Sequence, residues 1–356
     1  MKHHKYMKIL YGVPGEGMGH ATRSKVIITH LLENHDVRIV SSNRAFEFLN
    51  KQFPNRVYEI KGLNFIYKDG EVEKLKTLQS ILKKSPHDLF ENITTYKKIH
   101  KEFIPDIVIT DFETSAYLYG KYLKVPIIDI DNIQVLSRCK LDIKIPSKEK
   151  FNYNLAKTIC KYRVPDCNHY LLSTFFDAEI VKEQTDFIPP ILRNEIINAK
   201  TVYQNHILVY QTSSSQQNLT KIFNEVVNEK FLVYGFNIDE TKGNCILKKF
   251  SEDGFINDLA TSKAVITNGG YSLISEAVYL KKPVCSFPIK NQFEQFMNAA
   301  YIEKLSYGKH LTEFNSKGIS EFLDNLNIYR TSIICYTQKG NEDTFNKLDV
   351  LLSKYN

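Results

Sequence analysis

Ala264-Val265-Ile266-Thr267-Asn268-Gly269-Gly270-Tyr271-Ser272-Leu273-Ile274-Ser275-Glu276-Ala277 passes from an apolar run, through two glycines, straight into a helical pattern. The unbroken run reads as a strand buried on both faces, as a parallel sheet requires. Glycines at its exit let the backbone come close to a ligand. A helix opening there turns free amides and the positive end of its dipole toward an anion such as pyrophosphate. Ser272 suits a phosphate donor, or simply the N-cap of a tight turn. Glu276 follows one turn later on the same face, where a carboxylate can accept from a ribose diol.

The same strand-then-helix rhythm runs through both halves of the chain and predicts an α/β protein with parallel sheets. In the first half the expected strands are Met7 to Val13, Asp36 to Ser41, Asp106 to Thr110, Val125 to Ile130 and His169 to Ser173. Segment Val57 to Lys68 reads as an irregular insert, and Leu75 to Phe103 as one or two surface helices. Pro189-Pro190 can continue neither a helix nor a central strand, so 189–204 is expected to be a linker. Strands His206 to Gln211, Phe231 to Gly235, Cys245 to Lys248, Ala264 to Thr267 and Pro283 to Pro288 follow. The expected organisation is two Rossmann-like doubly wound domains, 1–188 and 205–340, facing across a cleft, with a last helix, 341–356, placed to pack back on the first. Ligands of such sheets sit at the carboxyl ends of the strands.

A chain of 356 residues is long for a single core, which agrees with two domains. Six scattered cysteines form no C-x-x-C pair and read as reduced thiols. The basic Met1 to Lys8 gives way at once to a strand and glycines, unlike a signal peptide, and no apolar stretch is long enough to span a bilayer. The expectation is a cytoplasmic protein. A net charge of +7, with both signs interspersed, suits anionic small substrates or an anionic membrane surface rather than nucleic acid.

Beyond the glycine block, Lys282-Pro283-Val284-Cys285-Ser286-Phe287-Pro288 is followed by Glu294-Gln295-Phe296-Met297-Asn298. Adjacent Glu and Gln at a strand exit offer acceptors and an amide to sugar hydroxyls. The block from Asn268 to Asn298 resembles the donor region of inverting GT-B glycosyltransferases. The likeness is to family 28, which includes the lipid-intermediate N-acetylglucosaminyltransferase of peptidoglycan synthesis, and to family 1. The resemblance implies that Gly269, Gly270 and Ser272, with Asn268 and Tyr271, hold the donor diphosphate, that Glu276 holds the ribose, and that Glu294, Gln295 and Asn298 contact the sugar. It further implies that Phe255-Ile256 reads uracil through the backbone, and that Ser213 and Ser214 belong to a diphosphate loop. Many relatives carry His or Arg where this chain has Asn268.

The second glycine block is Gly12-Val13-Pro14-Gly15-Glu16-Gly17-Met18-Gly19-His20-Ala21-Thr22-Arg23. Its spacing is not G-x-G-x-x-G, and Ser41-Ser42-Asn43 replaces the acidic residue that a dinucleotide site expects, which disfavours a dehydrogenase. In the GT-B resemblance this loop faces the acceptor, against Gly17, Met18, Gly19, Arg23 and Glu113. His20 is the candidate general base, since the transfer needs a group that can take the acceptor's hydroxyl proton. Glu16 is the alternative base, and His20 could instead be an ordinary helix-start residue or a phosphate ligand. Asp111, at the end of its strand, is placed to orient the imidazole or else to cap the helix ahead of Thr114.

Asp129-Ile130-Asp131 has a D-x-D form that binds divalent metal elsewhere, but paired carboxylates at a strand end are also common in this architecture, and no metal is expected. The Lys-rich stretch 74–101 offers either a solvated helical face or peripheral contact with anionic lipid at the inner face of the membrane. The reading as a whole is a metal-independent, cofactor-free hexosyltransferase. Its co-substrate is a nucleoside diphosphate sugar, best UDP, and its acceptor a carbohydrate or lipid-linked hydroxyl. A sugar-nucleotide 2-epimerase of the same fold and a non-catalytic sugar-nucleotide-binding protein are the alternatives.

Overall fold

The computed structural model describes residues 6–15, 17–62, 91–211 and 218–355, with the backbone of 67–68 and 71–72. Two seven-stranded sheets carry the fold. The first has the order Thr185–Ile188, His169–Ser173, Ile127–Asp131, Ile107–Thr110, Lys8–Val13, Asp36–Ser41, Val57–Glu59, with all neighbours parallel. The second runs Glu240–Lys242, Cys245–Leu247, Phe231–Tyr234, Ile207–Tyr210, Ala264–Thr267, Val284–Ser286, Gly308–His310. It is parallel except for the edge hairpin Glu240–Lys242 with Cys245–Leu247, which turns through Gly243 at φ 64°.

Each sheet has a point where the strand order reverses, and crevices open there. In the first sheet it lies between Lys8–Val13 and Ile107–Thr110, where Gly12 pairs with Thr110. The loops carrying the first glycine block and Asp111 therefore leave the sheet at one height. In the second it lies between Ile207–Tyr210 and Ala264–Thr267, with Tyr210 opposite Thr267. Asn268 and Gly269 begin directly above.

Several elements differ from the sequence expectation. Thr185–Ile188 is an edge strand of the first sheet that Pro189 terminates. Gly308–His310 closes the second sheet, and Lys150–Arg163 and Leu326–Ile333 are helices. Within the basic stretch, 74–90 lies outside the described residues. The helix at 91–102 buries Tyr96 and Ile99 while leaving Lys97, Lys98 and Lys101 exposed, as an ordinary amphipathic surface helix does. Among the described residues no helix is long and apolar enough to cross a membrane.

The halves meet through a shared apolar core. Phe176 stacks on Tyr301 at 3.6 Å and Phe175 lies 6.4 Å from the Tyr271 ring. The helix Glu342–Leu352 packs against the first domain, adding Leu348, Leu351 and Leu352 to the core of Ile9, Ile27 and Ile188. His30 stacks on Phe345 at 4.1 Å and meets Asp349 at 2.9 Å. Truncating buried Leu351 to alanine is expected to cost about 2–4 kcal/mol, as other core leucine truncations do. Urea unfolding measures it, and an unchanged midpoint would remove this helix from the N-terminal core.

Candidate active site

A cavity of about 540 Å³ lies between the sheets, lined on one side by Met18, His20, Arg23, Phe112 and Asn132 and on the other by Asn268, Gly270, Ser272, Glu276, Glu294 and Gln295. Two helices point their N-termini into it. Met18–Leu31 follows Gly17, at φ 82°, and Tyr271–Tyr279 follows Gly270; no side chain caps either helix. Ser272 is thus the second helical residue, not the cap, and its hydroxyl faces the opposite domain. A Cβ built on Gly19 would stand 2.5 Å from Ser272 Oγ. The two glycine blocks, some 250 residues apart in the chain, touch here.

His20 and Asp111 come together as an acid–histidine pair, Nδ1 to Oδ1 at 3.0 Å. Asp111 is fully buried and accepts from Arg23 Nε at 2.8 Å, Arg23 Nη2 at 2.5 Å and Ser24 Oγ at 3.0 Å. Burial alone would raise its pKa, but the Arg23 charge and His20 beside it outweigh burial and hold the carboxyl well below the usual range. Asp111 is therefore an ionised partner for the imidazole. Arg23, placed by sequence against the acceptor, is itself buried and mainly clamps this carboxylate.

Glu113 corrects another expectation. Instead of meeting the acceptor, it caps the helix Thr114–Leu123, accepting from Ser115 N at 3.1 Å and Ala116 N at 2.6 Å. The cap that might have fallen to Asp111 is supplied two residues later. Asp129 and Asp131 are both buried, and each holds a turn: Asp129 accepts from Phe112 N at 3.1 Å, Asp131 from Gln134 N at 2.9 Å. Burial, then their mutual repulsion, raises Asp129; burial pushes Asp131 up to about 7. Among the described residues no group of three or more His, Cys, Asp or Glu is placed to hold a metal ion.

On the facing wall, Gly269 sits at φ 99°, and a Cβ there would come 2.9 Å from the Gln295 carbonyl. Only glycine fits without strain. Asn298 is fully buried and donates Nδ2 to the Gly269 carbonyl at 3.0 Å, so it braces the glycine turn from behind rather than lining the cavity. Gln295 lines the cavity and accepts from Ile289 N at 2.9 Å. Glu294 accepts from Asn132 Nδ2 of the other domain at 2.8 Å. Phe255 reaches the cavity edge, with its ring edge-on to Tyr234 at 5.1 Å, whereas Ile256 is core. Tyr271 turns its hydroxyl across the cleft to Ser173 at 2.8 Å. Glu16, Ser213 and Ser214 lie outside the described residues.

Two residues that the sequence reading missed shape the site. Arg193, in the linker, forks Glu276 with Nε and Nη2, each at 2.8 Å, and reaches Glu252 at 3.0 Å. Burial raises the Glu276 pKa and Arg193 opposes that rise. Glu276 therefore meets the cavity with its carboxylate already shared with this arginine. Asn132 follows the strand Ile127–Asp131, and its place at a carboxyl end was the signal that could have found it.

Comparison with known proteins gives the family and the fold. The sequence model described as glycosyl transferase family 1 matches residues 7–327, and the chain belongs to that family. It is 23% identical over 333 residues to an uncharacterised glycosyltransferase of Methanosarcina acetivorans, covering 86% of each chain. It is 22% identical over 327 residues to the UDP-N-acetylglucosamine–N-acetylmuramyl-(pentapeptide) pyrophosphoryl-undecaprenol N-acetylglucosamine transferase of Pelagibacter ubique, covering 88% of this chain and 86% of that one. Among solved structures, Phytolacca americana UGT2, complexed with UDP-2-fluoro-glucose and pterostilbene, superposes with a TM-score of 0.69 at 14% identity, covering 98% of this chain and 99% of that one. The calicheamicin glycosyltransferase CalG4 gives 0.67 at 13% identity over the same shares. The fold is GT-B, and the protein is a glycosyltransferase.

Two changes test the site's physics. Because the Asp131 pKa is raised above its ordinary 3.8 to about 7, the stability linked to its protonated form is full in acid and is lost as pH climbs through about 7. Asp131→Asn keeps the acceptor for Gln134 and should flatten the decline between about pH 5 and about pH 8 by on the order of 1 kcal/mol, followed by urea unfolding at each pH. Gly269→Ala should destabilise by about 1–3 kcal/mol through its positive φ, measured by thermal unfolding.

Proposed function

We propose that the protein is an inverting, metal-independent hexosyltransferase. It takes a UDP-sugar as donor and a hydroxyl of a carbohydrate or lipid-linked acceptor, in envelope or capsule glycan assembly, as nucleophile. The observation that carries the proposal is the convergence of the His20–Asp111 pair and the uncapped helix at Tyr271 on one cavity. The UDP-sugars named for the Pelagibacter relative and the Phytolacca structure support the donor.

In this reading residues 205–340 bind the donor and residues 1–188 the acceptor. The diphosphate lies against the amides that open the helix at Tyr271 and Ser272, the ribose near Glu276, and the sugar near Glu294 and Gln295. The acceptor enters past Met18, Phe112, Ile133, Leu155 and Ile159, an apolar wall that suits a lipid-linked substrate. His20 Nε2 takes the hydroxyl proton as the oxygen attacks the anomeric carbon. The bond to the diphosphate breaks on the opposite face and its electron pair leaves with the β-phosphate, where the helix dipole stabilises the new charge. Ionised Asp111 stabilises the imidazolium without taking its proton.

His20→Ala should lower transfer by about 10²–10⁴, the usual worth of a general base, while UDP still raises the melting temperature as a ligand of the native state must. Transfer left unchanged would sink the base assignment, and no thermal response to UDP or any UDP-sugar would sink the donor. Incubation with donor alone separates transfer from 2-epimerisation, since only an epimerase would convert the sugar.

A further inference from the structure

We propose that Asn132 is a positioning residue that ties occupancy of the donor-sugar subsite to the proton arrangement on His20; this rests on the donor and base assignments above. Asn132 is 4% exposed, and its amide is engaged at both ends. Oδ1 accepts from Arg23 Nη1 at 2.5 Å, and Nδ2 donates to Glu294 Oε1 at 2.8 Å. Flipped, the amide would set its hydrogens against a guanidinium and its oxygen against a carboxylate, so the charges on either side fix its orientation. A single side chain thus joins the arginine of one domain to the sugar-facing carboxylate of the other.

Arg23 carries the link to the base. The Nη2 that bonds Asp111 Oδ1 also lies 2.8 Å from His20 Nδ1, nearer than Asp111 Oδ1 at 3.0 Å. A guanidinium nitrogen can only donate. While Nη2 addresses it, Nδ1 must be the bare nitrogen, and the single proton of a neutral ring sits on Nε2. That tautomer cannot take a proton at Nε2 from an acceptor. The competent one needs the proton on Nδ1, donated to Asp111, with Nη2 withdrawn.

The sugar supplies the withdrawal. Its hydroxyls donate to Glu294 and compete with Asn132 for that carboxylate, Asn132 slackens, and Arg23 gains room to leave Nδ1. No covalent bond between heavy atoms changes; one proton leaves Nε2 for solvent and another is taken up at Nδ1. His20 is then armed only when its electrophile is in place.

Nitrogen-15 spectra of the His20 ring, assigned by their loss in His20→Gln and recorded at alkaline pH, distinguish the tautomers. The parent should show the Nε2–H form alone and with UDP, and gain the Nδ1–H form with UDP-glucose or UDP-N-acetylglucosamine. Asn132→Ala should show the Nδ1–H form already without ligand. Asn132→Asp keeps the acceptor for Arg23 but repels Glu294, so it should not respond to sugar; it also guards against a folding defect in the alanine variant. Ligand-free His20 signals in Asn132→Ala identical to those of the parent overturn the proposal, as does a sugar response that persists in folded Asn132→Asp. If the parent binds neither sugar nucleotide by calorimetry, the donor reading fails, and the ligand-free comparison still decides whether Asn132 governs the tautomer.

Discussion

Asp111 has no contact with water, and a lone carboxylate in that position would give up its charge. It stays ionised because Arg23 lays Nε and Nη2 along both of its oxygens. That fork fastens the helix Met18–Leu31 to the end of the strand Ile107–Thr110, and much else is hung on it. It brings His20 to hydrogen-bond distance, and the third guanidinium nitrogen extends the network to Asn132 and over the cleft to Glu294. Such a pair adds little stability compared with an apolar replacement, but removing one member strands a buried charge at a cost of about 3–5 kcal/mol. Its value here is geometric, since a planar fork allows the helix only one register over the strand.

The facing domain solves a similar problem differently. Glu276 is 6% exposed beside a helix end that attracts anions, and the linker residue Arg193 supplies its counter-charge. The carboxylates that reach this cavity are thus matched by arginines or amides. The two bare helix N-termini keep their polarity for whatever anion enters between them.

Buried strands of a parallel sheet announce themselves by composition. Asp36–Ser41, His169–Ser173 and Ala264–Thr267 could be read residue for residue from the Val, Ile, Leu and Tyr at their centres and the polar residues that bound them. Thr185–Ile188 and Gly308–His310 could not, because each is short and lies on or near a sheet edge where hydrogen bonding, rather than hydrophobicity, defines the strand. The same limit holds in the site. Residue types show which strands end in the cleft, but not which of two neighbouring carboxylates turns inward. Asp111 meets the imidazole and Glu113 caps a helix, a choice made by the backbone conformation of Phe112 at φ 60° between them. Asn298 beside Glu294 and Gln295 looks like a third sugar ligand, yet its amide turns to the buried carbonyl of Gly269 and donates to it.

The chain crosses between the domains twice, and the crossings are bonded to each other. Asn341 accepts from Leu192 N at 2.9 Å and donates to Leu192 O at 2.7 Å, while Gln338 donates to Pro190 O at 2.7 Å. Mechanically this is a doubled strap, with the two crossings tied side by side. Away from the strap the domains are joined by Asn132 to Glu294, by Ser173 to Tyr271 and by the Phe176–Tyr301 stack, which no covalent segment holds together. The Arg193 fork lies within the strap itself, so the cavity is bounded by covalent chain on one side and by non-covalent contacts alone on the other.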